Sequence, residues 1–99
     1  GPFTAKDFRT WGANIEFIKS IRSVNPSSID SKKECQSSLK HCIETVSNKL
    51  NNTIAVCKSN YICKAIVDEY QTNPMELMKK IRKNKSNDTV LISLLKSLL

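Results

Sequence analysis

The chain has 99 residues, enough for one small domain, and carries 16 Lys and Arg against 9 Asp and Glu, a formal net charge of +7. This basic balance favours a polyanionic partner, although a solvated basic surface with no specific partner is the alternative. Because no apolar run approaches the ~20 residues that a membrane-spanning helix needs, the sequence excludes such a helix.

The first two residues indicate how the chain is divided. Gly1 and Pro2 are typical of what remains after a protease removes a tag. We therefore expect residues 1–2 to be a tag scar and residues 3–99 to be one helical unit taken from a longer protein.

The first predicted helix begins at Thr4, whose hydroxyl can cap the helix together with Asp7 three residues later. Apolar residues at spacings of three and four predict one buried stripe. Its members are Phe8, Trp11, Ile15, Ile18 and Ile21. Gly12 costs about 1 kcal/mol relative to alanine inside a helix, which predicts the close approach of another backbone at this point.

Residues 23–31 (SVNPSSIDS) predict a turn-rich, flexible connection. A second amphipathic helix is predicted from about Lys32 to Leu50. The residues of its apolar side are Cys35, Leu39, Cys42, Ile43, Val46 and Leu50. Its other side carries Lys32, Lys33, Lys40 and Lys49. These lysines either follow a phosphate backbone or form a solvated face.

Asn51 and Asn52 end that helix, and Thr53 is placed to cap a short helix after them. This short helix leads through three polar residues, the first of which is Lys58, to Tyr61. Tyrosine can act as a covalent nucleophile where basic groups stabilise its phenolate. On a basic surface the matching electrophile is a phosphodiester. Asn52 is either close to that electrophile or a turn residue that tolerates a left-handed backbone.

Further helices complete the prediction of an all-α fold, a compact bundle of about five or six short helices. Asn73 and Pro74 cap and begin one of them, in which residues 79–85 form the densest basic run. A Leu-rich amphipathic helix follows it. The apolar residues of these helices are Ile62, Ala65, Ile66, Val67 and Tyr70, then Met75, Leu77, Met78 and Ile81, then Val90, Leu91, Leu94, Leu95 and Leu98.

The four cysteines are Cys35, Cys42, Cys57 and Cys63, and His41 is the single histidine. Their spacings lack the close CxxC pairs of structural zinc sites, and the histidine has no partner histidine. We therefore expect no metal site and four reduced thiols in an intracellular protein.

Two segments resemble those of the small type IB DNA topoisomerases. Residues 51–62 (NNTIAVCKSNYI) are similar to the tyrosine segment of bacterial-type members, such as LGNTPAVCRKSYIHP. Residues 6–14 (KDFRTWGAN) resemble the family's helix start, KDFRTWGG or KDLRTYGVN. The two segments occur in the family's order, and the resemblance runs from about Phe3 to Tyr70.

The resemblance implies that the chain is the C-terminal part of the enzyme's catalytic domain. The family relaxes supercoiled double-stranded DNA by transesterification without a metal, ATP or another cofactor. It further implies a monomer in the bacterial cytoplasm, or in the host cell or virion if the protein is viral.

Roles for individual residues also follow from the resemblance. Tyr61 corresponds to the nucleophile, which forms a 3'-phosphotyrosyl bond, and Arg9 to an arginine that binds a non-bridging phosphate oxygen. Asn52 lies nine residues before the tyrosine, where poxvirus-like members have a histidine that contacts the other non-bridging oxygen. Lys6 and Lys58 are candidate DNA contacts.

The family's remaining catalytic residues, an earlier arginine and a general-acid lysine, lie upstream of the first shared segment. Because losing a general acid alone lowers the rate roughly 10²- to 10⁴-fold, we expect this chain to need the N-terminal remainder of the same enzyme. Tyr70 matches a non-catalytic tyrosine of the family, which implies a packing role.

Two alternatives remain. A tyrosine recombinase uses the same nucleophile, but its arginine helix usually reads HxLRH rather than the KDFRT of residues 6–10. A non-catalytic helical module that binds DNA or protein would also explain the charge and the amphipathic helices.

Overall fold

The computed structural model describes residues 5–98, with side chains from residue 10 onwards. That part of the chain forms six α-helices and no strand, so the predicted all-α fold is confirmed. The helices are α1 (Ala5–Arg22), α2 (Lys32–Leu50), α3 (Ile54–Val56), α4 (Lys64–Thr72), α5 (Pro74–Arg82) and α6 (Asn87–Leu98). None of these described helices combines the length and apolar character of a membrane span.

Helix α1 packs against α2, α5, α6 and the segment that carries Tyr61. Contacts on several sides bury a wider face than the predicted stripe. Phe17, which the stripe omitted, is fully buried, whereas Trp11 and Ile15 are only half-buried. The predicted cap at Thr4 and the side chain of Phe8 lie outside the described residues.

Gly12 lies in α1 next to open space. Within the described part of the chain, a Cβ built on Gly12 would meet no neighbouring heavy atom within 4 Å. The predicted close approach of another backbone is therefore wrong. The glycine lowers helix stability without allowing a closer packing contact.

We expect Gly12→Ala to raise the free energy of unfolding by about 0.5–1 kcal/mol, because alanine favours the helix and restricts the unfolded chain. Urea unfolding followed by circular dichroism measures the change. The matched control Ala13→Gly removes a fully buried methyl group and should lower the free energy of unfolding. A loss of stability in Gly12→Ala would mean that another group does approach this position.

The connection between α1 and α2 is turn-rich, as predicted, and contains a 3₁₀ turn, Pro26–Ser28. Asn25 Oδ1 caps this turn by accepting a hydrogen bond from the Ser27 N–H at 3.1 Å. Arg82 Nη2 donates to the Val24 carbonyl at 2.7 Å, which ties the connection to α5.

Helix α2 buries the apolar side that its sequence predicts. Ser31 Oγ caps its start by accepting from the Glu34 N–H at 3.2 Å. The helix ends at Leu50 and is capped by Asn51, whose φ of 55° is left-handed. The left-handed backbone of this turn is therefore at Asn51. Asn52, for which a left-handed backbone was one interpretation, has no positive φ. Of the predicted apolar residues, Leu50 is half-buried and the others are buried, namely Cys35, Leu39, Cys42, Ile43 and Val46.

Helices α4, α5 and α6 contribute the remaining helical side chains of the hydrophobic core. Pro74 begins α5 as predicted, but the Asn73 side chain makes no capping hydrogen bond. Met75 is 41% exposed because it lies off the face that the other apolar residues of α5 share. The buried apolar residues of the three helices are Ile66, Val67, Tyr70, Leu77, Met78, Ile81, Val90, Leu91 and Leu94.

Candidate functional site

Tyr61 ends a π-helical turn. Thr53 caps α3 by accepting a backbone N–H at 3.2 Å, as predicted. The helix then runs directly into the π-helical turn Cys57–Tyr61. The turn is closed by the Ile62 N–H, which donates to the carbonyl five residues earlier at 2.9 Å. Such turns are rare and occur frequently at functional sites, and the sequence had predicted ordinary helix here.

The side chains of this turn divide between the core and the surface. Cys57 is fully buried, and Tyr61 is half-buried and packs against the core. The three residues between them, Lys58, Ser59 and Asn60, are exposed. The tyrosine ring therefore lies at the edge of the core. The three exposed residues that precede it in the sequence are polar, and one of them, Lys58, is a cation.

Asn14 of α1 fixes the backbone on both sides of Ile62. Its Nδ2 donates to the Tyr61 carbonyl at 3.0 Å, and its Oδ1 accepts from the Cys63 N–H at 2.7 Å. Nδ2 also donates to the Thr10 carbonyl at 2.8 Å, within α1. Because Asn14 is only 5% exposed, these bonds form largely away from water, where an unpaired polar group is costly.

Sequence reasoning did not single out Asn14. Its position nevertheless carries a signal, because it lies three residues after Trp11 and four before Ile18, on the face of α1 that was expected to be apolar. An asparagine on such a face is buried, and a buried amide needs hydrogen-bond partners. Its partners are backbone groups of a segment 47 and 49 residues away, which no local pattern identifies.

Arg9 and Lys6 both belong to α1, upstream of Asn14. Their side chains lie outside the described residues. Asn14 lies on the same helix and is hydrogen-bonded to the backbone of Tyr61 and Cys63. Helix α1 therefore connects the backbone of Arg9 to the tyrosine turn.

Helix α6 forms side-chain hydrogen bonds to α1 at two points. Trp11 Nε1 donates to Asp88 Oδ1 at 2.9 Å. Arg22 Nε donates to Asn87 Oδ1 at 3.1 Å. Both acceptors lie in the first turn of α6, so this turn contributes to the placement of α1.

Asn52 and Lys58 are less closely tied to Tyr61. Asn52 is half-buried, its N–H donates to the Ser47 carbonyl at 3.0 Å, and its Nδ2 lies 3.5 Å from the Leu50 carbonyl, at the limit of a hydrogen bond. Lys58 is exposed three residues before the tyrosine. Within the described residues, the hydrogen bonds of Asn52 run to α2 and not to Tyr61.

Tyr70 has the opposite character to Tyr61. It is fully buried, and its hydroxyl forms a hydrogen bond of 2.6 Å with Ser38 Oγ. Burial is the main reason that its pKa is raised to about 12. A buried phenol that resists ionisation is unsuited to attack on a polymeric substrate, so Tyr70 has the packing role that the resemblance implied.

All four cysteines are free thiols in the structure. Burial raises the pKa of Cys42 to about 11 and also raises the pKa values of Cys35 and Cys57. Cys63 is half-buried. Within the described residues, no group of three or more His, Cys, Asp or Glu side chains is arranged to hold a metal ion.

We expect iodoacetamide at pH 8 to alkylate Cys63 first in the native protein, because the thiolate is the reactive form and requires access to the reagent. A thiol with a pKa of about 11, as at Cys42, is a thiolate in only about 0.1% of molecules at pH 8. Peptide mass spectrometry identifies the labelled cysteines, and the urea-unfolded chain, labelled at all four, is the control. Faster labelling of Cys42 than of Cys63 would contradict the burial in the structure.

Comparison with known proteins gives two findings. The family model described as the catalytic core of eukaryotic DNA topoisomerase I matches residues 1–88. The protein called DNA topoisomerase 1B from Acanthamoeba polyphaga mimivirus is 31% identical over 96 residues, which is 96% of this chain and 28% of the relative. The chain thus spans little more than a quarter of that relative's length. No solved structure matches the chain significantly.

The family match includes both segments on which the resemblance rests, residues 6–14 and residues 51–62. It also includes Asn14 and the Trp11 and Asp88 pair that links α1 to α6. Since the match extends over most of the chain, this protein belongs to the type IB DNA topoisomerase family.

Proposed function

We propose that this chain is the C-terminal part of the catalytic domain of a type IB topoisomerase, which relaxes supercoiled DNA by transesterification. Tyr61 Oη forms a bond to the phosphorus of one strand while the bond from phosphorus to the 5'-oxygen breaks. The phenol loses its proton, and the leaving 5'-oxygen gains one. The 3'-phosphotyrosyl bond retains the energy of the phosphodiester, so the reversal needs neither ATP nor a metal.

The hydrogen bonds of Asn14 support this proposal most directly. They connect the backbone of Tyr61 and Cys63 to α1 at 3.0 and 2.7 Å, and α1 is the helix to which Arg9 belongs. A nucleophile and the cation that stabilises its transition state need a fixed relative position, since such stabilisation depends on preorganised groups. One buried side chain that joins their two segments supplies a means of fixing them.

The other proposed roles concern the phosphate. Arg9 binds one non-bridging oxygen, and the Asn52 amide donates to the other without needing protonation. Lys6 and Lys58 contact phosphates of duplex DNA, and the exposure of Lys58 beside the tyrosine turn is compatible with that role. The net charge of +7 favours the same partner.

We also propose that these 99 residues do not relax DNA by themselves. The family's general-acid lysine and its earlier arginine have no counterpart in the segments that resemble the family here. The chain's 28% share of the mimivirus relative is consistent with a division of the catalytic residues between this part and another.

Plasmid relaxation tests the proposal. A protein that joins this chain to its upstream catalytic segment should relax supercoiled plasmid in EDTA without ATP, and the 99-residue chain should not. Stopping the reaction with detergent should leave the 3' end of a cleaved strand bound to a peptide that contains Tyr61. Relaxation that requires a metal or ATP, or protein attached to the 5' end, would overturn it.

A further inference from the structure

Two long side chains of α1 converge on the first turn of α6. Trp11 Nε1 donates to Asp88 Oδ1 at 2.9 Å, and Arg22 Nε donates to Asn87 Oδ1 at 3.1 Å. The two donors are 11 residues apart, which corresponds to about 16 Å along the helix axis and about 20° around it. Both donors therefore lie on one face of α1, and their side chains reach the same turn of α6 from opposite directions.

This arrangement restricts the movement of α1 relative to α6. If α1 slid along its axis, one of the two hydrogen bonds would lengthen. If α1 rotated about its axis, both donors would move away from their acceptors, and a hydrogen bond weakens with distance and with misalignment. Together the two bonds fix both the position and the rotation of α1.

The turn that carries the acceptors is itself fixed to the core. Ser86 Oγ caps α6 by accepting a hydrogen bond from the Thr89 N–H at 3.3 Å. Val90 and Leu91, which follow directly, are buried, and α6 also contacts α4 and α5. Asp88 therefore presents its carboxylate to Trp11 from a rigid element.

Trp11 is close along α1 to the residue that we propose as the phosphate-binding cation. Arg9 precedes it by two residues, a rise of about 3 Å, so the two share the second turn of a helix that begins at Ala5. The first turns of a helix open most readily, because their N–H groups lack partners within the helix. A hydrogen bond at Trp11 opposes such opening where the proposed role of Arg9 needs a fixed backbone.

We infer that Asp88 is a positioning residue for DNA cleavage. By accepting the hydrogen bond of Trp11, it holds the start of α1 in the position from which Arg9 binds the phosphate. The inference rests on the proposed function and deepens it. Two separate connections then act on the site, since Asn14 joins α1 to the tyrosine turn and Asp88 joins α1 to α6.

Single-turnover cleavage of a DNA duplex by the longer protein tests this. Asp88→Leu removes the acceptor and should slow cleavage about tenfold, a part of the ~10²- to 10³-fold that is lost when a stabilising group itself is removed. Asp88→Asn keeps an oxygen acceptor and should restore nearly the unaltered rate. The matched control Glu76→Leu removes an exposed carboxylate from the first turn of α5 and should cleave as the unaltered protein does.

Double variants distinguish positioning of Arg9 from a general loss of stability. If Asp88 acts through Arg9, the tenfold effect of Asp88→Leu should disappear when Arg9→Ala is already present, since residues that act through one another are not additive. The effect should persist beside Lys58→Ala, which changes a different candidate phosphate contact. Trp11→Phe removes the donor, so it should reproduce the effect of Asp88→Leu and add nothing to it.

The hydrogen bond can also be measured in the 99-residue chain without any DNA. Trp11 is the single tryptophan, so its indole N–H gives one resonance in a nitrogen–proton NMR spectrum. Exchange of this proton with solvent should be faster in Asp88→Leu than in the unaltered chain, because a hydrogen bond protects its donor from exchange. Glu76→Leu should leave the exchange rate unchanged, and circular dichroism checks that each variant is folded.

Three outcomes would overturn the inference. Asp88→Leu would leave the indole exchange rate unchanged, or it would cleave DNA at the unaltered rate. Alternatively, its effect on cleavage would be as large with Arg9→Ala as without it, so Asp88 would act on something other than Arg9. If the unaltered longer protein did not cleave DNA at all, the proposed function would fail, and this inference with it.

Discussion

Tyr61→Phe in a protein that includes the upstream catalytic segment is expected to abolish DNA relaxation, a loss of at least ~10⁴-fold, as for removal of other catalytic nucleophiles. Phenylalanine preserves the half-buried ring and its contacts with the core, and it removes the oxygen that we propose as the one forming the phosphotyrosyl bond. DNA binding should therefore be retained. Plasmid relaxation in EDTA, detergent-trapped protein–DNA adducts and duplex binding by anisotropy measure the three properties.

Tyr70→Phe is the matched control, since it removes the other tyrosine hydroxyl of the chain. Its bond to Ser38 Oγ is internal, and losing it should lower the free energy of unfolding by about 1 kcal/mol. Relaxation should remain. A trapped adduct in Tyr61→Phe, or its disappearance in Tyr70→Phe, would assign the nucleophile to a different residue.

Asn14→Ala is expected to have the second largest effect. The change leaves the Cys63 N–H and the Tyr61 carbonyl without their partner in a largely buried position. Unsatisfied groups of this kind cost about 1–3 kcal/mol each, so we expect a loss of about 3 kcal/mol in the free energy of unfolding. In the longer protein, strand cleavage should slow by about 10²-fold, because the nucleophile is no longer held in a fixed position.

Two variants serve as controls for Asn14→Ala. Asn14→Asp retains the oxygen that accepts from the Cys63 N–H but places a second acceptor oxygen against the Tyr61 and Thr10 carbonyls, so it should be no more stable than Asn14→Ala and should cleave DNA no faster. Asn48→Ala changes an exposed asparagine on α2 and should alter neither. Equal cleavage rates in Asn14→Ala and the unaltered protein, measured below the unfolding transition, would contradict the role.

The sequence was sufficient to predict where most of the helices lie, because most of them have an apolar face. Helix α2 buries the side that its periodicity indicates, since its buried residues recur at spacings of three and four. Helix α1 was predicted less well, because it contacts neighbours on several sides and Phe17 is buried outside the expected stripe. Gly12 gave a wrong prediction, since a glycine in a helix does not by itself show that another backbone is near.

The candidate site was predictable only in part. Tyr61 follows from its motif, and Thr53 from local capping chemistry. Asn14 did not follow, because its partners are backbone groups of a distant segment. The π-helical turn was missed for another reason: its closing bond spans one residue more than an α-helical bond, and no composition signal distinguishes the two.

The hydrogen bonds between α1 and the first turn of α6 also bear on the order in which the protein is made. Trp11 and Asp88 are separated by 77 residues, whereas Asn14 and Tyr61 are separated by 47. Helix α1 leaves the ribosome before α6, so its hydrogen bonds to α6 can form only after the chain has been synthesised past Asp88. Contacts between such distant residues are slow to form because a long loop must be closed. A nascent chain that has just exposed Tyr61 therefore lacks the hydrogen bonds that join α1 to α6.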